Sequence, residues 1–252
     1  MKPNISIQLY SLRTLPSLTA ILDTAQAAGY QNVELIGSHL DDAVNVKTAL
    51  DERGLQVSSA HVGMAALRER FDGIMQACKT LGFSKLYMPS VPPQERDSPE
   101  PFWTFLGREL AQMAWRAQAH GVELGYHNHH WELKPQTNGK TALECLFAGA
   151  GNSPLKWQVD VAWLVRGGAD PVQWMQNYAD RINAVHAKDL APAGAKLDED
   201  GWDDVGHGIL DWRGQLAAAS MAHGAQWLVA EHDKPNDPVR FANRSFAFLA
   251  SL

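Results

Sequence analysis

The feature that most constrains the fold is a recurring unit in which a helix ends at a glycine and a β-rich segment follows within a few residues. The unit recurs at Gly29, Gly54, Gly82, Gly121 and Gly224. A glycine just past a helix is a common stop, because it adopts the left-handed conformation that other residues avoid. This is a repeat of architecture rather than of sequence, and it predicts an α/β fold with a parallel sheet.

Eight segments have the alternation or the short apolar run of a strand. They are residues 5–10, 32–36, 55–61, 85–89, 122–126, 155–161, 182–188 and 226–231. Amphipathic segments between them predict helices from Pro16 to Gly29 and over about 41–53, 63–81 and 102–120, and a last helix ends the chain. Eight such units in 252 residues predict one (β/α)8 TIM-barrel domain over residues 1–252. An open doubly wound sheet fits less well, since no GxGxxG follows the first strand.

Composition limits the class of protein and of partner. The chain is 45% hydrophobic and can bury a large core, yet it has no apolar run long enough to cross a membrane. Its N-terminus, MKPNISIQLYSL, lacks the apolar region of a signal peptide, and Cys78 and Cys145 have no nearby ligand partner. We therefore expect a cytoplasmic protein with two reduced core thiols. The net charge of -6 argues against nucleic acid and favours a small-molecule partner.

Nearly every predicted strand ends in a polar or ionisable side chain, and in a TIM barrel the active site lies at these ends. The residues are Gln8, Tyr10, Glu34, His61, His127, His129, Glu132, Asp160, His186, Lys188 and Glu231. Strand residues two apart share a face, so His186 and Lys188 are both expected to point towards the barrel axis. Scattered surface charge would not choose these places, and the pattern predicts a site in the mouth of the barrel.

Four of these residues come from strands five to eight and make a set of three carboxylates and one imidazole: Glu132, Asp160, His186 and Glu231. The set suits one divalent ion with mainly oxygen ligands, Mn²⁺ or Mg²⁺, with Co²⁺ and Zn²⁺ as alternatives. Converging carboxylates repel one another unless a cation compensates them. The competing interpretation is a group of buried salt bridges with Lys188 and Arg166.

Five segments carry a resemblance to a known family: GYHNHHWEL, QVDVAWLVRGGADP, VHAKD, GHGILDW and EHDKPNDP. In order and spacing they resemble the sugar phosphate isomerase/epimerase family of the xylose isomerase-like barrels, which are related to inosose dehydratase and endonuclease IV. The resemblance implies that Asp160, His186, Glu231 and a carboxylate from strand five bind one divalent metal. Because that carboxylate follows the HNHH run here, Glu132 is the expected ligand and His127 or His129 the competing one.

The remaining strand-end residues are expected to bind substrate: Gln8, Tyr10, Glu34, His61, His127, His129, Trp131, Trp163 and Arg166. His61 either contacts a sugar hydroxyl or phosphate or is a hydrogen-bonded core histidine. The two tryptophans either stack on a sugar ring or belong to the core. Arg166 either meets an anionic group or caps the loop before Pro171.

The expected function is that of a metal-dependent isomerase or epimerase that acts on a sugar, keto sugar or related polyol through an enediolate. Glu132 and Glu231 would move the proton on opposite faces of the substrate, and Lys188 would polarise the carbonyl or pair with Asp189 or Glu231. If the enediolate expels a β-hydroxyl, the enzyme is instead a dehydratase of the inosose dehydratase type, a lyase. A non-catalytic sugar-binding barrel is the alternative of another class. A homo-oligomer is expected only by analogy.

Overall fold

The computed structural model describes residues 4–252 and contains a closed barrel of eight parallel strands. The barrel strands are β1 (Asn4–Gln8), β2 (Asn32–Ile36), β3 (Gln56–His61), β4 (Lys85–Met88), β5 (Glu123–His127), β6 (Lys156–Asp160), β7 (Ile182–Ala187) and β10 (Trp227–Ala230). Their order around the barrel is β1-β10-β7-β6-β5-β4-β3-β2, so β1 closes the ring by pairing with both β2 and β10. The predicted (β/α)8 TIM barrel is confirmed.

Helices surround the barrel. They are α1 (Leu18–Ala28), α2 (Ala43–Asp51), α3 (Met64–Glu69), α4 (Phe71–Leu81), α5 (Glu100–Gln118), α6 (Ala142–Ala150), α7 (Val161–Arg166), α8 (Pro171–Asn177), α9 (Ala217–Ala222) and α10 (Pro238–Leu249). The single helix predicted over 63–81 is wrong, because Arg70 leaves the helical conformation (φ -133°, ψ 28°) and separates α3 from α4. The helix predicted over 41–53 begins as a 3-10 turn, Gly37–Asp42, before α2.

The glycine stops have the predicted conformation. Ser17 caps the N-terminus of helix α1 with its hydroxyl, which accepts a hydrogen bond from the amide of Ala20, and Gly29 caps the C-terminus with φ 106°. Helix α4 ends in the same way at Gly82, with φ 78°. These turns deliver the chain to β2 and β4 and so repeat the helix-to-strand connection on which the prediction rested.

The interior of the molecule is mainly apolar, and its buried polar side chains lie both at the barrel axis and outside it, as at Asp204, Ser220 and Ser245. Cys78 and Cys145 are free and buried, and burial raises the pKa of the Cys78 thiol to about 12. Within residues 4–252, the structure contains no helix of the length and apolarity that crossing a membrane requires. The organisation as one domain over residues 1–252 stays a prediction.

A small antiparallel ribbon was not predicted. Strands β8 (Asp189–Leu190) and β9 (Trp202–Asp203) pair after β7 and carry residues 191–201 over the mouth of the barrel. The Asp189 carboxylate fixes the base of this loop, because it accepts hydrogen bonds from the amides of Leu190, Gly206 and Leu210. The ribbon is too short for a sequence pattern to reveal it.

Candidate active site

A cavity of about 550 Å³ opens at the C-terminal ends of the barrel strands. Its lining residues are Tyr10, Ile36, Gly37, His61, Gly63, Pro89, Ser90, Arg96, His127, His129, Trp131, Trp163, Asp200, Glu231 and Asp233. Seven of these were predicted site residues: Tyr10, His61, His127, His129, Trp131, Trp163 and Glu231. Five others form the buried floor beneath them: Gln8, Glu34, Asp160, His186 and Lys188. The cavity has the size of a small-molecule site and lies where a TIM barrel places its chemistry.

Four buried side chains, two from this floor and two from the cavity lining, can each offer one ligand atom to a metal ion: Asp160, His186, His127 and Glu231. Those atoms all lie within 4.8 Å of one another. They come from β5, β6, β7 and the end of β10, so neighbouring strands of the barrel supply the whole set. Two imidazoles and two carboxylates suit a divalent transition ion such as zinc, cobalt or manganese.

The structure does not bring Glu132 into this set. Glu132 lies on a 3-10 turn, Trp131–Leu133, where its carboxylate accepts hydrogen bonds from the Tyr126 hydroxyl (2.6 Å) and the His129 amide (2.9 Å). The side chain is fully buried, and burial raises its pKa to about 7 against the effect of these hydrogen bonds. Of the two histidines that compete with it as ligands, His127 belongs to the set.

Glu34 lies at the centre of the buried floor, where four side chains donate hydrogen bonds to it. The donors are Gln8 Nε2 (2.8 Å), Ser59 Oγ (2.5 Å), Gln158 Nε2 (2.6 Å) and His186 Nε2 (2.6 Å). Burial alone would raise the pKa of this carboxyl, but the adjacent imidazoles and these donors lower it to about 2. Glu34 is therefore an ionised carboxylate whose oxygens are occupied by the protein.

This network also fixes which nitrogens of two histidines carry protons. Because the Gln158 amide nitrogen donates to Glu34, its oxygen must accept, and it faces His61 Nε2 (2.6 Å) and His127 Nδ1 (3.0 Å). Both nitrogens are therefore donors. The neutral His127 ring keeps its lone pair on Nε2, which lies 3.9 Å from Asp160 Oδ2 and is the atom available to a metal.

The site also contains its own cation. The Lys188 ammonium is fully buried and lies 2.8 Å from Glu231 Oε2, 3.2 Å from Asp160 Oδ2 and 2.9 Å from Asp233 Oδ2. Burial would raise the pKa of Glu231, but Lys188 and His186 hold it well below its usual range. The buried salt bridges expected of Lys188 are thus present, with Glu231 rather than Asp189 as a partner.

Both ring nitrogens of His186 face carboxylates, so His186 can bind a metal only through Nδ1 and only after Nδ1 has released its proton. Its Nε2 faces Glu34, and its Nδ1 lies 2.9 Å from Glu231 Oε2. Burial would lower the pKa of this imidazole, but the two carboxylates raise it to about 10. His186 thus connects Glu34 on the buried floor with Glu231, which lines the cavity.

Aromatic side chains form one wall of the cavity. The His129 ring stacks on Trp131 with centroids 4.2 Å apart, and His130 stacks on Trp163 at 4.9 Å. The indole nitrogens of Trp131 and Trp163 are buried and have no hydrogen-bond partner among the described residues. Because His129 and Arg96 cover the Trp131 ring and His130 covers the Trp163 ring, the two tryptophans pack against the protein rather than offering a free face to a sugar ring.

Arg166 stands behind this wall and is not part of the lining. Its guanidinium lies 3.4 Å from the Trp202 ring centroid and donates a 2.8 Å hydrogen bond to the Asp200 carbonyl. Its contacts therefore hold the ribbon loop and not the turn before Pro171. Sequence reasoning did not select Arg96, Asp200 or Asp233, because loop residues give no periodic signal, although Asp233 follows Glu231 within the EHD segment.

Comparisons with known proteins give the family and the fold of the chain. The profile of a family described as xylose isomerase-like TIM barrel matches residues 22–252. An inosose dehydratase from Lacticaseibacillus casei is 22% identical, over 91% of this chain and 86% of its own length. The structure of a sugar phosphate isomerase/epimerase from Parabacteroides distasonis has a TM-score of 0.78 at 22% identity, over 98% of this chain and 93% of that chain. The structure of the IolI protein with a bound zinc atom has a TM-score of 0.73 at 15% identity, over 100% of this chain and 98% of that chain.

Proposed function

This chain belongs to the xylose isomerase-like TIM barrel family, and we propose that it is a metal-dependent isomerase or epimerase of a sugar, keto sugar or related polyol. The observation that carries the proposal is the set of four buried ligand side chains, with ligand atoms within 4.8 Å of one another, on the floor of the cavity. The isomerase/epimerase and dehydratase names of the relatives support the same class of chemistry.

We propose His127, Asp160, His186 and Glu231 as the ligands of one divalent ion. Such an ion supplies Lewis-acid polarisation of a substrate carbonyl and its neighbouring hydroxyl. Mn²⁺ remains our proposed ion, with Co²⁺, Zn²⁺ and Mg²⁺ as alternatives. His127 supplies a second imidazole where the carboxylate of Glu132 was expected. Because Mg²⁺ prefers oxygen ligands, it is the least suitable of the four ions.

Glu231 is the proposed base for the proton on the carbon next to the carbonyl. Its side chain lines the cavity, and the positive charges of Lys188 and His186 keep it ionised. Lys188 does not line the cavity, so we assign it the role of compensating the carboxylates around it rather than of touching substrate.

We assign the second proton transfer to His129 rather than to Glu132. The His129 ring lines the cavity, and its Nδ1 has no partner among residues 4–252. Burial, with the charge of Lys188 next in size, holds its pKa well below the usual range, so the ring is neutral and releases readily any proton that it has taken up. Glu132 acts through it, because its carboxylate accepts the His129 amide hydrogen bond and orients this turn.

Dehydration is the second candidate and is favoured by the likeness to inosose dehydratase. The same residues would form the same enediolate, and loss of a β-hydroxyl would then give an unsaturated product. A non-catalytic sugar-binding barrel would explain the cavity but not the four convergent ligand side chains. A cytoplasmic location, the absence of a nucleic-acid partner and a homo-oligomeric state stay predictions.

Replacing Glu231 by Gln tests the proposal, because the amide keeps the shape of the side chain and removes the base. We expect turnover of keto sugars and inososes, measured with added Mn²⁺, to fall by roughly 10²–10⁴-fold. Glu69→Gln, an exposed carboxyl at the end of α3, is the matched control and should keep full activity. Turnover near the wild-type value in Glu231→Gln would refute the assignment, and metal binding without turnover of any substrate would favour the sugar-binding barrel.

A further inference from the structure

The cavity wall contains four charged side chains, of which three are paired within the protein. They are Arg96, Asp200, Glu231 and Asp233. Arg166 lies 3.6 Å from the Asp200 carboxylate, and Lys188 lies 2.8 Å and 2.9 Å from those of Glu231 and Asp233. Within the described part of the chain, residues 4–252, the Arg96 side chain has neither an ion pair nor a hydrogen bond. Its guanidinium faces the cavity without an ion-pair partner, and its charge acts on the buried Glu132 carboxyl, whose pKa it lowers.

The setting of Arg96 shows which ligand chemistry would complete it. Arg96 is a half-buried residue of the loop after β4, and its guanidinium carbon lies 3.7 Å from the centroid of the Trp131 ring. Arg96 Nε and Trp131 Nε1 are both buried and unpartnered in this part of the structure. Both atoms can only donate hydrogen bonds, and a buried donor without an acceptor costs free energy. An oxygen-rich, negatively charged group in the cavity would give the guanidinium the acceptor that it lacks.

On the basis of the proposed function, we propose that Arg96, held against Trp131, receives a carboxylate of the substrate, so that the substrate is an acidic sugar or polyol. A guanidinium presents its donors in a planar fork that matches the two oxygens of a carboxylate. A phosphate dianion fits less well, since Arg96 is the one Lys or Arg among the described lining residues. The stacking on Trp131 limits the orientations of the guanidinium and prepares it for this contact.

The competing explanation is that Arg96 only holds its loop against Trp131 through the cation–π contact. A purely structural arginine would not distinguish an acidic ligand from its neutral analogue. Binding selectivity, measured without any turnover, therefore separates the two explanations.

The experiment measures the binding of D-glucuronate, D-glucose and D-glucose 6-phosphate to the protein as purified, by calorimetry. Glucuronate and glucose differ at one carbon, which carries a carboxylate in the first and a hydroxymethyl group in the second. We expect glucuronate to bind at least about tenfold more tightly than glucose, which corresponds to roughly 1.4 kcal/mol. Arg96→Gln should reduce this preference to within about twofold, and Arg96→Lys, which keeps the charge but not the fork, should retain part of it.

Arg108→Gln is the matched control, because it removes the same charge from an exposed position on α5 and should leave the preference unchanged. Equal binding of glucuronate and glucose, or no binding of any of the three probes, would overturn the proposal. A glucuronate preference that survives Arg96→Gln would also overturn it. Tighter binding of glucose 6-phosphate than of glucuronate would show that Arg96 binds a phosphate rather than a carboxylate. Failure of the proposed function would be distinguishable from failure of this inference. A glucuronate preference without turnover of any substrate would contradict only the proposed catalysis.

Discussion

Glu34 has no exposed surface, yet it determines how the cavity floor presents its ligands. It orients the Gln158 amide, and the amide oxygen in turn fixes the protonated nitrogens of His61 and His127. It also accepts a hydrogen bond from His186 Nε2, which leaves Nδ1 facing the cavity side of the site. Residues that hold metal ligands in this way tune affinity without touching the metal.

Replacing Glu34 by Gln should therefore weaken metal binding. The amide would bring donor hydrogens to atoms that now donate, so the network beneath two of the proposed ligands could not be satisfied. We expect the affinity for Mn²⁺ or Zn²⁺ to fall by roughly 10–100-fold, measured by competition with a chelating dye. Glu69→Gln serves as the control with unchanged affinity, and an unchanged affinity in Glu34→Gln would show that the network does not orient the ligands.

At this scale the sequence predicts residue types better than it predicts contacts. Strand parity and position were enough to select Asp160, His186 and Glu231, which the structure brings together. Parity could not place Glu132, because it lies beyond the strand on a turn whose direction depends on the Tyr126 hydroxyl and the His129 amide. Arg96 was missed for the same reason, since its position depends on the packing of a loop.

Helices α5 and α6 lie unusually close together, and two glycines make this possible. A Cβ atom at Gly107 would lie 2.0 Å from the carbonyl oxygen of Leu146, and one at Gly149 would lie 2.1 Å from that of Thr104. Neither glycine has a positive φ, so the lack of a side chain is what matters. The contact fixes the helices that precede β5 and β6, which carry His127 and Asp160.

Gly107→Ala should consequently destabilise the protein, because backbone atoms that cannot rotate away would have to move. We expect the free energy of unfolding in urea to fall by about 1–3 kcal/mol. Gly73→Ala is the matched control, since Gly73 lies in α4 with no atom within 4 Å of an added Cβ. There the same change should be neutral or stabilise by up to about 1 kcal/mol. Equal effects at the two positions would contradict the close packing.

Element boundaries were predictable where a local signal exists. The glycine stops of α1 and α4 were read correctly, because a left-handed stop is a property of the residue itself. The break at Arg70 was not predictable, because no helix-breaking residue marks it. The ribbon of β8 and β9 was not predictable either, because it depends on tertiary contacts of Asp189. Local sequence signals therefore predict the order of the elements, whereas features that depend on tertiary packing cannot be predicted from them.

For the whole molecule, closure of the barrel is what gathers the site. The register of β1 with β10 pairs Ile7 with Ala230, and so the first and last strands place Gln8 and Glu231 at the same mouth. The sequence favoured a closed ring over an open sheet because polar residues end strands throughout the chain. The charge balance within the mouth, with Lys188 among three carboxylates, became visible only when the strands were assembled.

The most direct test of the account is the metal content of the purified protein and four variants, measured by mass spectrometry after incubation with divalent ions and gel filtration. We expect about one ion per chain in the wild type and its loss in Asp160→Ala, His186→Ala and His127→Ala. Glu132→Ala should keep the ion, since Glu132 lies outside the ligand set. Absence of metal from the wild type, or its retention when any of those three residues is removed, would contradict the account.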